Sequence, residues 1–220
     1  SKEGRYFAKS KKYQFLSNVE IKNPKYTINS EQLDFYSETG LAYLYGQSTI
    51  VGETSTVHCE RGYYNTRNDI GYFVKNSRID YENRIMYGDS IYFNRNKNFA
   101  SATNNIQIID TLNNSYVRGH YAEVFKDKDS VFITKRAVAI TVRENDSIYI
   151  HADTLKITGK PEHRILKGFY KARFFKRGLP DEEPTSGKCD SIFVNERTGI
   201  TKLLRNPILW SGQNQMTGDT

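Results

Sequence analysis

The chain has 220 residues, 32 Lys and Arg against 25 Asp and Glu, a formal net charge of +7 and a pI of about 9.2. That length buries a sizeable core in one large domain or two small ones, and no apolar run reaches the roughly 18–20 residues of a membrane helix. Sixteen Tyr and twelve Phe beside two Met fit pleated strands better than helices, and the basic balance favours anionic partners such as phosphorylated lipid, nucleic acid or acidic glycan.

The N-terminus, Ser1-Lys2-Glu3-Gly4-Arg5, is polar and carries no signal-peptide core, so any export signal is expected to have been removed already. One short pattern then recurs down the chain: a small or polar residue, an acid, Ser or Thr, and three residues of alternating character. Loose copies are Ser30-Glu31-Gln32-Leu33-Asp34-Phe35 and Asn76-Ser77-Arg78-Ile79-Asp80-Tyr81. Tighter ones follow at Gly88-Asp89-Ser90-Ile91-Tyr92-Phe93, Lys128-Asp129-Ser130-Val131-Phe132-Ile133 and Asn145-Asp146-Ser147-Ile148-Tyr149-Ile150. Two more are Ala152-Asp153-Thr154-Leu155-Lys156-Ile157 and Cys189-Asp190-Ser191-Ile192-Phe193-Val194. Between copies stand turn residues, for example 94–98 and 195–199, each followed by another alternating run, which is the hairpin signal. Units this small cannot bury a face alone, so neighbouring repeats must stack.

Successive strand residues point to opposite faces. Leu33, Phe35, Ile79, Ile91, Phe93, Val131, Ile133, Ile148, Ile150, Leu155, Ile157, Ile192 and Val194 therefore share one apolar face. Tyr92, Phe132, Tyr149, Lys156 and Phe193 lie on the other. The recurring Asp and Ser/Thr are expected to bond nearby backbone amides where strands begin, an architectural rather than catalytic role. The segment 177–187, rich in Pro, Gly and acids, reads as an exposed loop and not as a domain boundary, so one domain over 1–220 is expected. Cys59 and Cys189 are in no metal-like spacing and can be bonded or free. The four His share no ligand spacing, and the lone Trp210 is expected in the core.

The run Ala152-Asp153-Thr154-Leu155-Lys156-Ile157 with Arg164-Ile165-Leu166-Lys167-Gly168 resembles the repeat of the OstA-like, LptA-like family of periplasmic lipopolysaccharide-transport proteins. The copy from Cys189-Asp190-Ser191-Ile192 through Ile200-Thr201 to Trp210-Ser211-Gly212 does so too, and the terminal Gly218-Asp219-Thr220 looks like the opening of a further, truncated repeat. The similarity covers most of residues 28–220. The resemblance implies an elongated, twisted antiparallel β-jellyroll, open at one side and at both ends, without catalytic residues or cofactors. It also implies a periplasmic location, lipopolysaccharide or lipid A as ligand, and other jellyroll domains as end-to-end partners. In that family acyl chains bind the inner face, which maps here onto the apolar residues above. The chain departs from the family in its Tyr-rich outer positions, in the acidic loop at 178–187 and before residue 28.

The basic stretch 164–177 supplies the headgroup candidates Arg164, Lys167, Lys171 and Arg173; as strand, Lys171 and Arg173 would share a face. Two other classes compete. A β-helix carbohydrate-active enzyme or polysaccharide-binding envelope protein could set recurring Asp along a groove, but hairpin-like turns argue for antiparallel pairing. Nucleic-acid binding could use aromatic faces, but no such motif is present and no nucleic acid is expected.

Overall fold

The computed structural model describes residues 1–143, 146–160, 163–178 and 182–218. Asn145 of one motif copy, Glu162, positions 179–181 of the acidic loop, and Asp219 and Thr220 of the suspected further repeat lie outside the described residues. The expected all-β, antiparallel class is observed, and the chain divides into two compact units, Ser1–Asn104 and Asn105–Thr220. The first contains β1 (Glu3–Phe7), β2 (Lys12–Asn23), β3 (Tyr26–Tyr36), β4 (Leu41–Gly52), β5 (Ser55–Asn65), β6 (Ile70–Tyr81) and β7 (Arg84–Asn94). Strand β8 (Phe99–Asp110) spans the boundary. The second contains β9 (Ser115–Phe125), β10 (Ser130–Arg143), β11 (Asp146–Thr158), β12 (Ile165–Lys176) and β13 (Thr185–Asn195). It continues with β14 (Ile200–Leu204), β15 (Ile208–Ser211) and β16 (Asn214–Thr217). Within the first unit each strand from β1 to β7 pairs with the next. In the second, β9 to β13 do the same, then β13 pairs both β14 and β15, and β15 pairs β16.

Hairpin turns sit where the sequence suggests. Residues 95–97 form a 3-10 turn whose first amides are capped by Asn94, which accepts from the Lys97 N–H; Asn195 likewise accepts from the amides of Arg197 and Thr198. The recurring acids do something else. Asp89, Asp153 and Asp190 lie in the middle of β7, β11 and β13, not at strand entrances, so the runs read as two short strands are single long ones. Each acid is the lone residue facing a pair on the strand before it, an excess of one: Asp89 faces Lys75-Asn76, Asp153 faces Lys135-Arg136, and Asp190 faces Tyr170-Lys171. Glu31 faces Ser17-Asn18 and Glu60 faces Gly46-Gln47 in the same way. These pairs are β-bulges built from left-handed backbone: Ser17 and Asn18, Gly46, Lys75 and Asn76, Asn104 and Asn105, Lys135 and Arg136, Tyr170 and Lys171 all have positive φ. In the first unit they recur at 17, 46, 75 and 104, every 29 residues.

The bulges fold each unit back on itself. Register sets Tyr26 opposite Gly52 and Tyr64 opposite Ala42. Along a straight β4 those positions would be about 33 Å apart, yet the Tyr26 and Tyr64 rings meet edge to face at 5.1 Å. Each long strand that carries or faces a bulge therefore contributes two arms, which close over an interior within its own unit. Cross-strand rows fill it: Leu33, Leu44, Gly62, Phe73 and Ile91 in one arm, Ile28, Ile50, Val57, Ile79 and Met86 in the other. In the second unit the rows are Ile133, Leu155, Gly168 and Ile192, and Ala139, Ile150, Phe174 and Gly187. Where the arms diverge, at the bend, residues are small: Ser30, Ser48, Cys59 and Ser77, then Ala137, Ala152, Ala172 and Cys189. A Cβ on Gly168 would lie 2.7 Å from Ile192 Cγ2 and 3.2 Å from Ala152 Cβ, so larger groups have no room. The outward positions carry the Tyr-rich departure as a ladder, with Tyr43–Tyr63 and Tyr63–Tyr72 ring centroids 5.9 and 6.2 Å apart. Both cysteines are free and buried, and burial pushes the Cys59 thiol up to about 12.

The bend can be tested through its backbone alone. Asn76 bonds Glu60, a contact that Val and Gly both remove, so Asn76→Val should destabilise by about 1–2 kcal/mol more than Asn76→Gly because only the former disfavours positive φ. Urea midpoints of the two variants measure the difference; equal midpoints would remove the left-handed bend as the determinant.

Candidate functional site

The interior is built from the residues expected to share a face. Leu33, Ile91, Ile133 and Leu155 are fully buried, and Ile79, Phe93, Val131, Ile150 and Ile192 are buried as well. Phe35, Ile148, Ile157 and Val194 are half-buried. Ile157 and Val194 flank Leu166 in one cross-strand row near the arm ends. Leu33, Phe35, Ile79, Ile91 and Phe93 belong to the first unit, the others to the second. In this structure the protein's own side chains fill the middle of each interior, so a guest would have to part the arms.

The arm ends meet at a seam, and there the chemistry turns polar. In the first unit the turn at 24–25 and the turn at 66–69 come from opposite strand ends, yet Lys25 Nζ lies 3.3 Å from Asp69 Oδ2. The Tyr64 hydroxyl donates to Asp69 Oδ1 (3.2 Å) and accepts from Arg95 Nε (3.3 Å). The Arg95 guanidinium lies over Tyr26 and Phe93, 5.6 and 5.4 Å from their ring centroids, and against Gly52, where any side chain would collide with it. Burial pushes the Tyr64 phenol well above its ordinary range, with Arg95 pulling the other way. Arg95 Nη2 and the Tyr26 hydroxyl are buried without a hydrogen-bond partner among the described residues. The seam is thus a latch of cation–π and hydrogen-bond contacts, with two polar groups left unpaired.

The second unit closes its seam differently. Arg164, expected to meet a headgroup, points inward: it is 4% exposed and ion-paired to Asp110, which stands at the opposite strand end 54 residues earlier. Arg164 also reaches Ser115 Oγ. Burial alone would raise the Asp110 carboxyl, but the Asn113 amide and the Arg164 guanidinium outweigh it and hold the group below the usual carboxylate range. The other candidates are exposed but scattered. Lys167 stands over the Phe193 ring at 5.7 Å on the outside of one arm, Lys171 sits in the left-handed bend, and Arg173 lies on the outside of the other arm. Both Lys171 and Arg173 are exposed, Lys171 with positive φ within the bulge and Arg173 beyond it. Trp210 is half-buried on the outer face rather than in the core; its indole N–H donates to Gln215 Oε1 at 2.9 Å. Sequence reasoning missed Arg95, Tyr64 and Asp69 as a group, since nothing local ties turns 26 or more residues apart.

No family model and no curated protein matches the chain. Among solved structures it is similar to LptH of Pseudomonas aeruginosa, the LptA-homologous periplasmic component of the lipopolysaccharide transport device. The identity is 11%, the TM-score 0.49, and the match covers 62% of this chain and 94% of that one.

The buried pair makes a signed prediction. A depressed folded pKa contributes stability that is complete above the unfolded value, about 3.9 for Asp, and is lost as pH falls through the lower folded value. Arg164→Met should destabilise by about 3–5 kcal/mol at pH 7 by removing the cation that compensates the buried Asp110 carboxylate, and adding Asp110→Asn should recover most of that loss. Chemical denaturation from pH 2 to 7 measures both effects; the double variant should also lose part of the acid-side decline.

Proposed function

We propose that this chain is a non-catalytic carrier of acylated lipid of the lipopolysaccharide type, working in the periplasm as one element of a chain of jellyroll domains. One observation carries the reading: within each unit consecutive strands place apolar side chains on one face, and mid-strand bends fold that face into an interior closed, among the described residues, by polar contacts. Such an interior is apolar throughout its buried rows, which suits hydrocarbon once the arms part. The family resemblance of the repeat points the same way.

In this reading the seam is the entry. Parting it exposes Lys25, Asp69, Arg95 and Tyr64, all of which water solvates well, whereas acyl groups take over the packing that the separated side chains gave one another. Each buried CH₂ stabilises by about 0.8 kcal/mol, so a chain of about twelve carbons contributes on the order of 10 kcal/mol before ordering and opening costs. An exposed Lys–phosphate contact adds about 1 kcal/mol or less. Hydrocarbon therefore sets affinity, and the exposed Lys167 and Lys171 tune orientation. The full burial of Leu33, Ile91, Ile133 and Leu155 favours one alternative, an envelope scaffold that uses the same fold with its interior permanently closed.

The discriminating experiment is native mass spectrometry of protein recovered from a Gram-negative envelope, with Ile157→Asn and Val194→Asn as half-buried variants whose native fold is checked by circular dichroism. Acylated lipid should accompany the native protein and fall several-fold in both variants. Raising salt from about 50 to 200 mM should leave affinity within about threefold, where binding through six to ten phosphates would lose about 10³-fold or more. A lipid-free native protein that also excludes added lipid A leaves the scaffold reading in place.

A further inference from the structure

The same strands that bury the interior carry a cleft on their outer face in the second unit, about 430 Å³ in volume. Two adjacent rows define it. One runs Tyr149, Phe175, Ser186, Trp210 across β11, β12, β13 and β15; the other runs His151, Arg173, Lys188 across the first three. Neighbouring strands lie about 4.8 Å apart, so Phe175 and Trp210 rise from backbones about 9.6 Å apart with only the short Ser186 side chain between them. That gap admits one ring between two aromatic walls. Tyr149 and Phe175 are about two-fifths exposed, their ring centroids 6.1 Å apart.

The second row is unusual for a sheet. Arg173 and Lys188 are direct cross-strand partners, both exposed, and like charges in that position repel. Neither has an ion-pair partner among the described residues; Lys188 only covers the Trp210 ring at 5.6 Å. The described lining contains no carboxylate, and His151, the partner of Arg173 on its other side, has a buried Nδ1 with no hydrogen-bond partner. Three basic groups in a row with no anion describe a site that lacks its counter-charge. The rows are two residues apart along each strand, about 7 Å, and the long Arg173 and Lys188 side chains can reach back over the shorter span between a pyranose ring and a phosphate attached to it.

We infer that this cleft binds a phosphorylated saccharide, the sugar ring between Phe175 and Trp210 and the phosphate across Arg173 and Lys188. A dianion bridging the two cations removes their repulsion and forms charge-assisted bonds, while the aromatic walls select a ring over free phosphate. The rows that carry Phe175, Trp210, Arg173 and Lys188 alternate with the interior row, whose Phe174 and Gly187 also line the cleft, so the proposed contacts are made on the opposite face of the strands from the lipid interior.

Trp210 is the single Trp in the chain, so its fluorescence reports the site directly. Titration with glucosamine 6-phosphate should give a saturable change, with glucosamine and inorganic phosphate each at least tenfold weaker. Arg173→Gln with Lys188→Gln should weaken glucosamine 6-phosphate at least tenfold, and Ser186→Phe should abolish the response by filling the gap. Without ligand, Lys188→Gln should leave the melting temperature unchanged or higher, since it relieves a like-charge pair; a purely structural lysine would lower it. A micelle-borne acylated glucosamine phosphate separates a lipid source from a soluble one, and saturation by either supports the site. No saturable response to either, a response unchanged in Arg173→Gln/Lys188→Gln, or tighter binding of AMP than of glucosamine 6-phosphate would overturn it. Lipid loading of the interior is read independently by mass spectrometry, so the two proposals fail separately.

Discussion

Each unit depends on one constraint: an antiparallel sheet of consecutive strands has two faces, and here bends in the long strands turn one of them into an interior. Paired left-handed residues supply that bend. They cost about 1–2 kcal/mol each for side chains other than glycine, and Lys75, Lys135, Arg136 and Tyr170 have no special tolerance for that region. The cost persists because it closes two apolar arms on each other, where rows such as Leu33 to Ile91 bury whole aliphatic and aromatic side chains, each contributing about 1.5–3 kcal/mol. The acids opposite the bends help hold the outer corner: Lys75 and Asn76 reach Glu60, and Arg205 reaches Asp190.

The bend also dictates the seam. Folding the arms brings the two sets of turns together, and turns are polar by necessity, since their φ values and unpaired backbone groups call for Asn, Asp, Gly and Lys. The closing contacts are therefore ionic and hydrogen-bonded: Lys25–Asp69–Tyr64–Arg95 in one unit, Arg164–Asp110 in the other. Buried ion pairs are no more stable than well-packed apolar replacements, so stability alone does not explain a polar seam. A joint that exchanges protein partners for water at modest cost can open; an apolar one would stay shut. The physics of the closure thus bears on the carrier reading more directly than the composition of the interior does.

Much of the architecture is legible in the residues. Alternation at Ile91, Phe93, Leu155, Ile157, Ile192 and Val194 marks inward positions, and Asn94–Asn98 and Asn195–Gly199 mark turns. The acids mislead because the same local text serves two contexts: Asp129 stands in a turn ahead of β10, whereas Asp89 and Asp153 stand inside long strands. Turns and bulges both call for short polar residues and positive φ, so a window of six residues cannot separate them. Arg164 and Trp210 failed for a different reason. Arg164 finds its partner 54 residues earlier across the seam, and Trp210 is placed by pairing with Ser186; neither relation has a local period.

A signal for the bend is nonetheless written in the parity of the apolar residues. On β11, Ile150 and Ala152 are buried at even positions, and Leu155 is buried at an odd one; unbroken alternation would expose one set or the other. The same switch occurs on β7 between Met86 and Ile91, on β13 between Cys189 and Ile192, and on β5 between Cys59 and Tyr64. Each switch needs one residue that belongs to neither set, and in every case an acid stands there or beside it: Asp153, Asp89, Asp190, Glu60. The strand that carries a bulge keeps its parity, as Leu166 and Ala172 show on β12, while the strand facing it switches, so the register shift also decides which polar residues come together outside. Arg173 stands beside Lys188 and His151 only because the bulge at Tyr170-Lys171 resets β12 before it reaches them. The interior and the outer cleft are therefore two consequences of one register shift, and a change that straightened that strand would dismantle both.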